Sequence, residues 1–244
     1  MDPQILVALI ASLTSLAVAV GAFPLTYLLG KRARREQGLD VMAYYRDPLL
    51  QAAFDLRSRL RAILDGDFLS RYLVNGNETQ KRYARTYTLF VLAEFLCWVE
   101  VLRQEVSFLD LGDDARNRQL MKHLTAIRRV LLEGQADPLL RVVNGYQRAL
   151  GELMIRETDP SRARSKQCIG YAEFCARLES DQAFARWFGT LDSDITELAD
   201  RENPRTGRLT ALENALTGLI DFLDPDRLRY PMRQPGRPTE TTPE

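Results

Sequence analysis

The sequence predicts an all-α fold: a single N-terminal transmembrane helix followed by a cytoplasmic helical bundle of about six to eight helices. Three observations carry this reading. Residues 5–29 contain no charged side chain, and Lys31, Arg32, Arg34 and Arg35 follow at once. Every strong apolar repeat in the rest of the chain has three-to-four spacing, the period of a helix. No alternating pattern of the kind a half-buried strand requires rises above it.

A helix rises about 1.5 Å per residue, so roughly 20 apolar residues cross the ~30 Å hydrocarbon core. The uncharged run meets that length with some left over for tilt. A cleaved signal peptide is the competing reading, because Ala17-Val18-Ala19 imitates a cleavage site. The leading Met1-Asp2-Pro3-Gln4, however, carries no Lys or Arg, and apolar sequence continues well beyond Ala19. Basic residues mark the cytoplasmic flank of a span. The short N-terminus is therefore expected outside the inner membrane, and everything after Lys31 inside. The expected organisation is a span over 4–30, a basic juxtamembrane linker over 31–43, a helical bundle over 44–223 and a disordered, proline-rich tail over 224–244. The lipid bilayer is the partner this pattern implies. Ala11, Ser15 and Ala19 recur every fourth residue, a spacing that lets membrane helices approach closely and suggests self-association through the span.

Composition agrees with an intracellular domain. The chain carries 33 basic and 33 acidic residues, so no global field favours nucleic acid and none is expected as a partner. Cys97, Cys168 and Cys175 form no disulfide framework, as expected in a reducing compartment.

The elements follow in order. Asp47-Pro48 reads as an N-cap with proline at the first helical position. Leu49, Ala53, Leu56, Leu60 and Ile63 then form a stripe that ends near Asp65-Gly66. A loop at Asn75-Gly76-Asn77 precedes the most apolar stretch, Tyr87–Leu102, where Phe90, Val91, Phe95, Leu96, Trp98 and Val99 surround the helix. Such a helix belongs at the centre of a bundle. Glu94 and Glu100 argue against a second span, since an acidic residue near a span's centre costs about 2.5–3.5 kcal/mol. After the acidic break at Leu109–Asp114, Leu120, Leu124, Ile127 and Leu131 make the next stripe, closed by Gly134. Asp137-Pro138 repeats the capped start, predicting a helix with Leu139, Val143, Tyr146, Leu150 and Leu153 on one face. The stretch 159–167 is the clearest internal hinge. Tyr171, Phe174, Cys175 and Leu178 continue, then Phe184, Trp187, Phe188, Leu191, Ile195 and Leu198. After the turn at Asn203–Gly207, Leu209, Leu212, Leu216, Leu219 and Leu223 form the last stripe.

Chemical motifs are sparse. There is no glycine-rich phosphate loop, zinc-type Cys/His spacing or nucleophile elbow, so no cofactor and no metal is expected. His123, the single histidine, sits at the edge of a buried face and reads as structural. Glu94 and Glu100 are the buried carboxylate candidates. Six residues apart, they lie about 120° around the helix from each other and do not share one substrate. Their expected partners are arginines such as Arg57 or Arg59 across the bundle. Cys168 and Cys175, read as two turns apart on one helix, are expected to fill core space.

Two basic segments compete for a role. Lys31, Arg32, Arg34 and Arg35 serve as the membrane flank. Lys81, Arg82 and Arg85, among Tyr83 and Tyr87, together with Arg162, Arg164 and Lys166, are the candidate ligand-binding residues for a phosphorylated small molecule. The leading expectation is a non-enzymatic interaction or scaffold module at the inner membrane. A sensor using the arginine clusters and an enzyme using Glu94 or Glu100 are the alternatives. An exposed apolar patch favours the first, convergence of Arg82, Arg85, Arg162 and Arg164 the second, and a solvent-reachable cleft at one glutamate the third.

Overall fold

The structure is a computed structural model that describes residues 44–65, 68–106, 115–133, 138–158, 165–201 and 207–229. The expected span, its basic flank Lys31–Arg35, and Arg162 and Arg164 lie outside the described residues. Within them the chain is a helical bundle, and no helix there is long and apolar enough to cross a membrane.

Helix α1 covers residues 44–65. Its predicted stripe is buried in full, with Leu49, Ala53, Leu56, Leu60 and Ile63 all at most 3% exposed. The helix already runs from residue 44, however, so Asp47 is not its cap and Pro48 lies inside it. Pro48 forgoes only the bond to the Tyr44 carbonyl. A π-helical turn, Ser70–Val74, leads to the central helix α2, Glu78–Val106. Asn77 and Gln80 start α2 as a reciprocal capping box: each backbone N–H donates to the other's side-chain oxygen at 2.9 Å. Helix α2 touches the π turn and most of the later elements, as its near-continuous apolar surface demands.

Helix α3, Ala115–Leu132, buries Leu120, Leu124, Ile127 and Leu131, and packs on α7, Gly207–Leu223. The five predicted leucines of α7 are all buried. Helix α4 departs from expectation: it spans Asn144–Met154 rather than starting at Pro138. Residues 138–143 form a turn in which Leu140 takes a left-handed φ of 55°. The Leu140 N–H donates to Asp194 (2.8 Å) and that of Val142 to the Leu131 carbonyl (2.8 Å). These long-range bonds outcompete the local helix signal. The buried face of α4 rotates accordingly to Gln147, Leu150, Gly151 and Met154. Val143 and Tyr146, expected inside, are 41% and 44% exposed.

The described region also holds an antiparallel pair of strands, β1 (Ile155–Glu157) and β2 (Lys166–Cys168), with Ile155 opposite Cys168. Three-residue strands are too short to reveal a two-residue period, which is why the sequence reads as purely helical there. Lys166 and Gln167, at the end of the expected hinge, belong to β2. Helix α5, Tyr171–Ser180, and α6, Gln182–Asp200, complete the order. Asp181 caps α6 by accepting from Ala183 and Phe184. Phe174, Phe184 and Phe188 pack ring on ring with centroids 5.0–5.7 Å apart. Beyond α7, Asp224 accepts from the Leu228 and Arg229 amides, both at 3.1 Å, so residues 224–229 form a turn rather than the start of a free tail.

Candidate functional site

Lys81, Arg82 and Arg85 occupy the first two turns of α2, where three-to-four spacing places them along one side. They line a cleft of about 730 Å³ enclosed by the π turn, α5 and α6. Each is already engaged. Lys81 pairs with Glu78 (3.1 Å), Arg82 reaches Glu179 on α5, and Arg85 makes a two-pronged pair with Asp192 on α6. The Asp192 hydrogen bond holds the Arg85 proton more tightly than usual. With Glu78, Glu179, Asp192 and Asp200 on its walls, the cleft carries four acidic side chains against three basic ones. The acidic side chains outnumber the basic ones by one, and an incoming phosphate would have to displace carboxylates. Lys166 pairs instead with Glu105 at 3.2 Å. Glu105 lies 23 residues beyond Arg82 on the same helix, about 35 Å at 1.5 Å per residue. Lys166 therefore does not join Lys81, Arg82 and Arg85.

The two carboxylate candidates face different neighbours. Glu94 is half-buried and has no hydrogen-bond or ion-pair partner among the described residues. Burial, and then the negative charge of Asp55 on α1, push its pKa from 4.5 to about 7. Glu100 is 3% exposed and pairs with Arg103 (2.7 Å) and Gln104 (2.8 Å). Burial raises its pKa, but these bonds and the charges of Arg103 and Arg148 outweigh it and hold the group below the usual carboxylate range.

Neither Arg57 nor Arg59 neutralises these glutamates, contrary to expectation. Arg57 pairs with Glu213 on α7 at 3.1 Å and donates to Thr217 at 2.7 Å. Arg59 donates to the Tyr83 hydroxyl (2.9 Å) and lies over the rings of Phe68 (4.2 Å) and Tyr87 (4.7 Å). Among the described residues, this buried charge is met by the Tyr83 hydroxyl and by cation–π attraction.

His123 stacks on Phe222 of α7 with centroids 5.3 Å apart, an edge-of-core placement. Cys168 and Cys175 do not share a helix: one lies on β2 and the other on α5. All three cysteines are free. The buried Cys97 thiol instead meets Cys168, and this hydrogen bond, together with burial, raises its pKa. No spacing in the sequence signals a contact across 71 residues. Among the described residues, no cluster of His, Cys, Asp and Glu is suited to hold a metal ion.

The surface feature that sequence reasoning missed is a pair of aromatics. Tyr146 on α4 and Trp187 on α6 meet edge to face at 5.0 Å while remaining 44% and 36% exposed. Val143, also exposed, begins the same turn of α4. Both aromatics lie in apolar stripes of the sequence, whose spacing points to burial. The rotated face of α4 turns Tyr146 outward, and Trp187 lies off the buried face of α6, which runs through Phe184, Phe188, Leu191, Ile195 and Leu198.

No family model matches the chain, and neither a curated protein nor a solved structure similar to it is found.

Proposed function

We propose that this protein is a single-pass membrane-anchored interaction module, holding a cytoplasmic helical bundle at the inner membrane and docking a protein partner on the α4–α6 surface. The uncharged run 5–29 and its basic flank support the anchor and its orientation. The observation that carries the docking reading is the exposed Tyr146–Trp187 pair. Tyr and Trp lose little conformational entropy on binding and bring large apolar area, so they dominate interface energetics. Arg82 and Arg85, already tied to Glu179 and Asp192, make a phosphate sensor at the cleft the weaker reading.

The test places a photo-crosslinking residue at Val143 in the full-length protein in intact cells. A discrete adduct in the membrane fraction, resistant to alkaline extraction and lost in Trp187→Ser, is the expected result. An adduct of twice the chain's mass makes the partner a second copy. No adduct, or one indifferent to Trp187→Ser, overturns the docking assignment. Release of the protein by alkali overturns the anchor.

A further inference from the structure

The chain beyond Arg229 lies outside the described residues, and its sequence there carries a Pro-x-x-Pro motif, Pro235-Gly236-Arg237-Pro238. A polyproline II helix has three residues per turn and rises about 3.1 Å per residue, so these two prolines share one face, about 9 Å apart. Such segments dock on aromatic surfaces because their stiffness leaves little entropy to lose. Among the described residues, Tyr146 and Trp187 are the one pair of touching rings with both members exposed. Ala149, Ala183 and Thr190 stand three or four positions from these rings along their own helices. Small neighbours at that spacing leave the rings raised above their surroundings. Rings with centroids 5.0 Å apart fit between prolines about 9 Å apart.

The point from which the segment departs brings it within reach. Arg229 pairs with Asp47 near the start of α1, and Tyr45 beside it packs on Trp98 of α2 at 6.4 Å. Gly151 of α4 meets α2 at the same level, against Leu96 and Glu100, about 200° around the helix from Trp98. Arg229 and α4 thus flank α2 on opposite sides. Packed helices lie about 8–10 Å apart, which sets the two about 20 Å from each other. Pro238 is nine residues beyond Arg229, and nine extended residues cover about 30 Å.

We propose that the segment Pro235–Pro238 docks on the Tyr146–Trp187 pair of its own chain and competes there with the protein partner. The competition rests on the docking reading above; the contact itself does not. A tether of this length holds the segment at about millimolar effective concentration, so even weak affinity keeps much of the surface covered.

Photo-crosslinking from position 143 tests it, first in the purified full-length protein, where no partner is present, and then in cells. The purified protein is expected to give a product with the mass of one chain, which peptide mass spectrometry maps to residues 231–238. That product is expected to disappear in Trp187→Ser and in the double change Pro235→Ala with Pro238→Ala. Both prolines lie outside the described bundle, so the double change should leave the thermal midpoint in place. In cells it is expected to raise the partner adduct at least about twofold, the gain from freeing a surface that a tethered segment covers half of the time. No product at 231–238, one that survives the proline changes, or one of twice the chain's mass overturns the contact, whatever the cells show. A partner adduct that the proline changes leave unaltered overturns the competition. Loss of the partner adduct from parent and proline variant alike removes the docking reading and the competition with it, while the contact stands.

Discussion

Gly151 of α4 lies so close to α2 that a Cβ placed on it would sit 2.6 Å from the Leu96 carbonyl oxygen and 2.9 Å from the Glu100 Cβ. Backbone, not a flexible side chain, stands in the way. This approach seats α4 on the central helix. Gly151→Ala is expected to destabilise the fold by about 1–3 kcal/mol through overpacking, despite alanine's better helix propensity. Gly218 on α7 provides the control. Its added Cβ would meet only the His123 ring, at 3.5 Å, an ordinary contact. Gly218→Ala should therefore stabilise by about 0.5–1 kcal/mol. Urea denaturation followed by the fluorescence of Trp98 and Trp187 reads both, and a stabilising Gly151→Ala would refute the close approach.

Glu94 should make stability fall as pH rises. Its folded pKa, about 7, lies above the ordinary 4.5 because of burial and then Asp55. The folded state thus holds a proton that the unfolded state has released between those values, and this contribution is lost as pH climbs through about 7. The partial exposure of the side chain limits the effect to on the order of 1 kcal/mol. Glu94→Gln is expected to be more stable than the parent at pH 8 and to converge with it near pH 4.5. Asp55→Asn should lower the Glu94 midpoint, which carboxyl NMR titration measures directly. An unshifted midpoint would remove Asp55 as a cause.

The Arg57–Glu213 pair ties α1 to α7, with Arg57 buried and the Glu213 side chain 18% exposed. Among the described residues, removing Glu213 leaves the buried Arg57 charge with only its hydrogen bond to Thr217. Glu213→Ala is expected to cost about 3 kcal/mol, and a double change of Arg57→Met with Glu213→Met is expected to recover much of it. A double-mutant denaturation series that shows additivity would deny the coupling.

Trp187→Ser should separate docking from folding. An exposed aromatic removed from the surface changes stability by about 0.5 kcal/mol or less, apart from its edge contact with Tyr146, which adds about 0.5–1.5. Denaturation of the variant should stay within that range while the membrane-bound crosslink at Val143 is lost. A large loss of stability would mean that Trp187 belongs to the core, as its stripe in the sequence suggested.

The sequence by itself determined the helical class and most of the core. The stripes of α1, α3 and α7 are buried as their spacing predicts, because each pairs a strong local helix preference with one apolar face and no competing bond. It also carried the uncharged run and basic flank on which the proposed anchor rests. Only tertiary structure decided where α4 begins, because Asp194, 54 residues from Leu140, draws the chain into a left-handed turn. The same long-range choice turned Tyr146 outward and buried Gln147. Charge partners were equally illegible. Arg57 chose Glu213, Arg59 an aromatic box and Arg85 Asp192, since an ion pair depends on which helices pack together, and no local spacing encodes that.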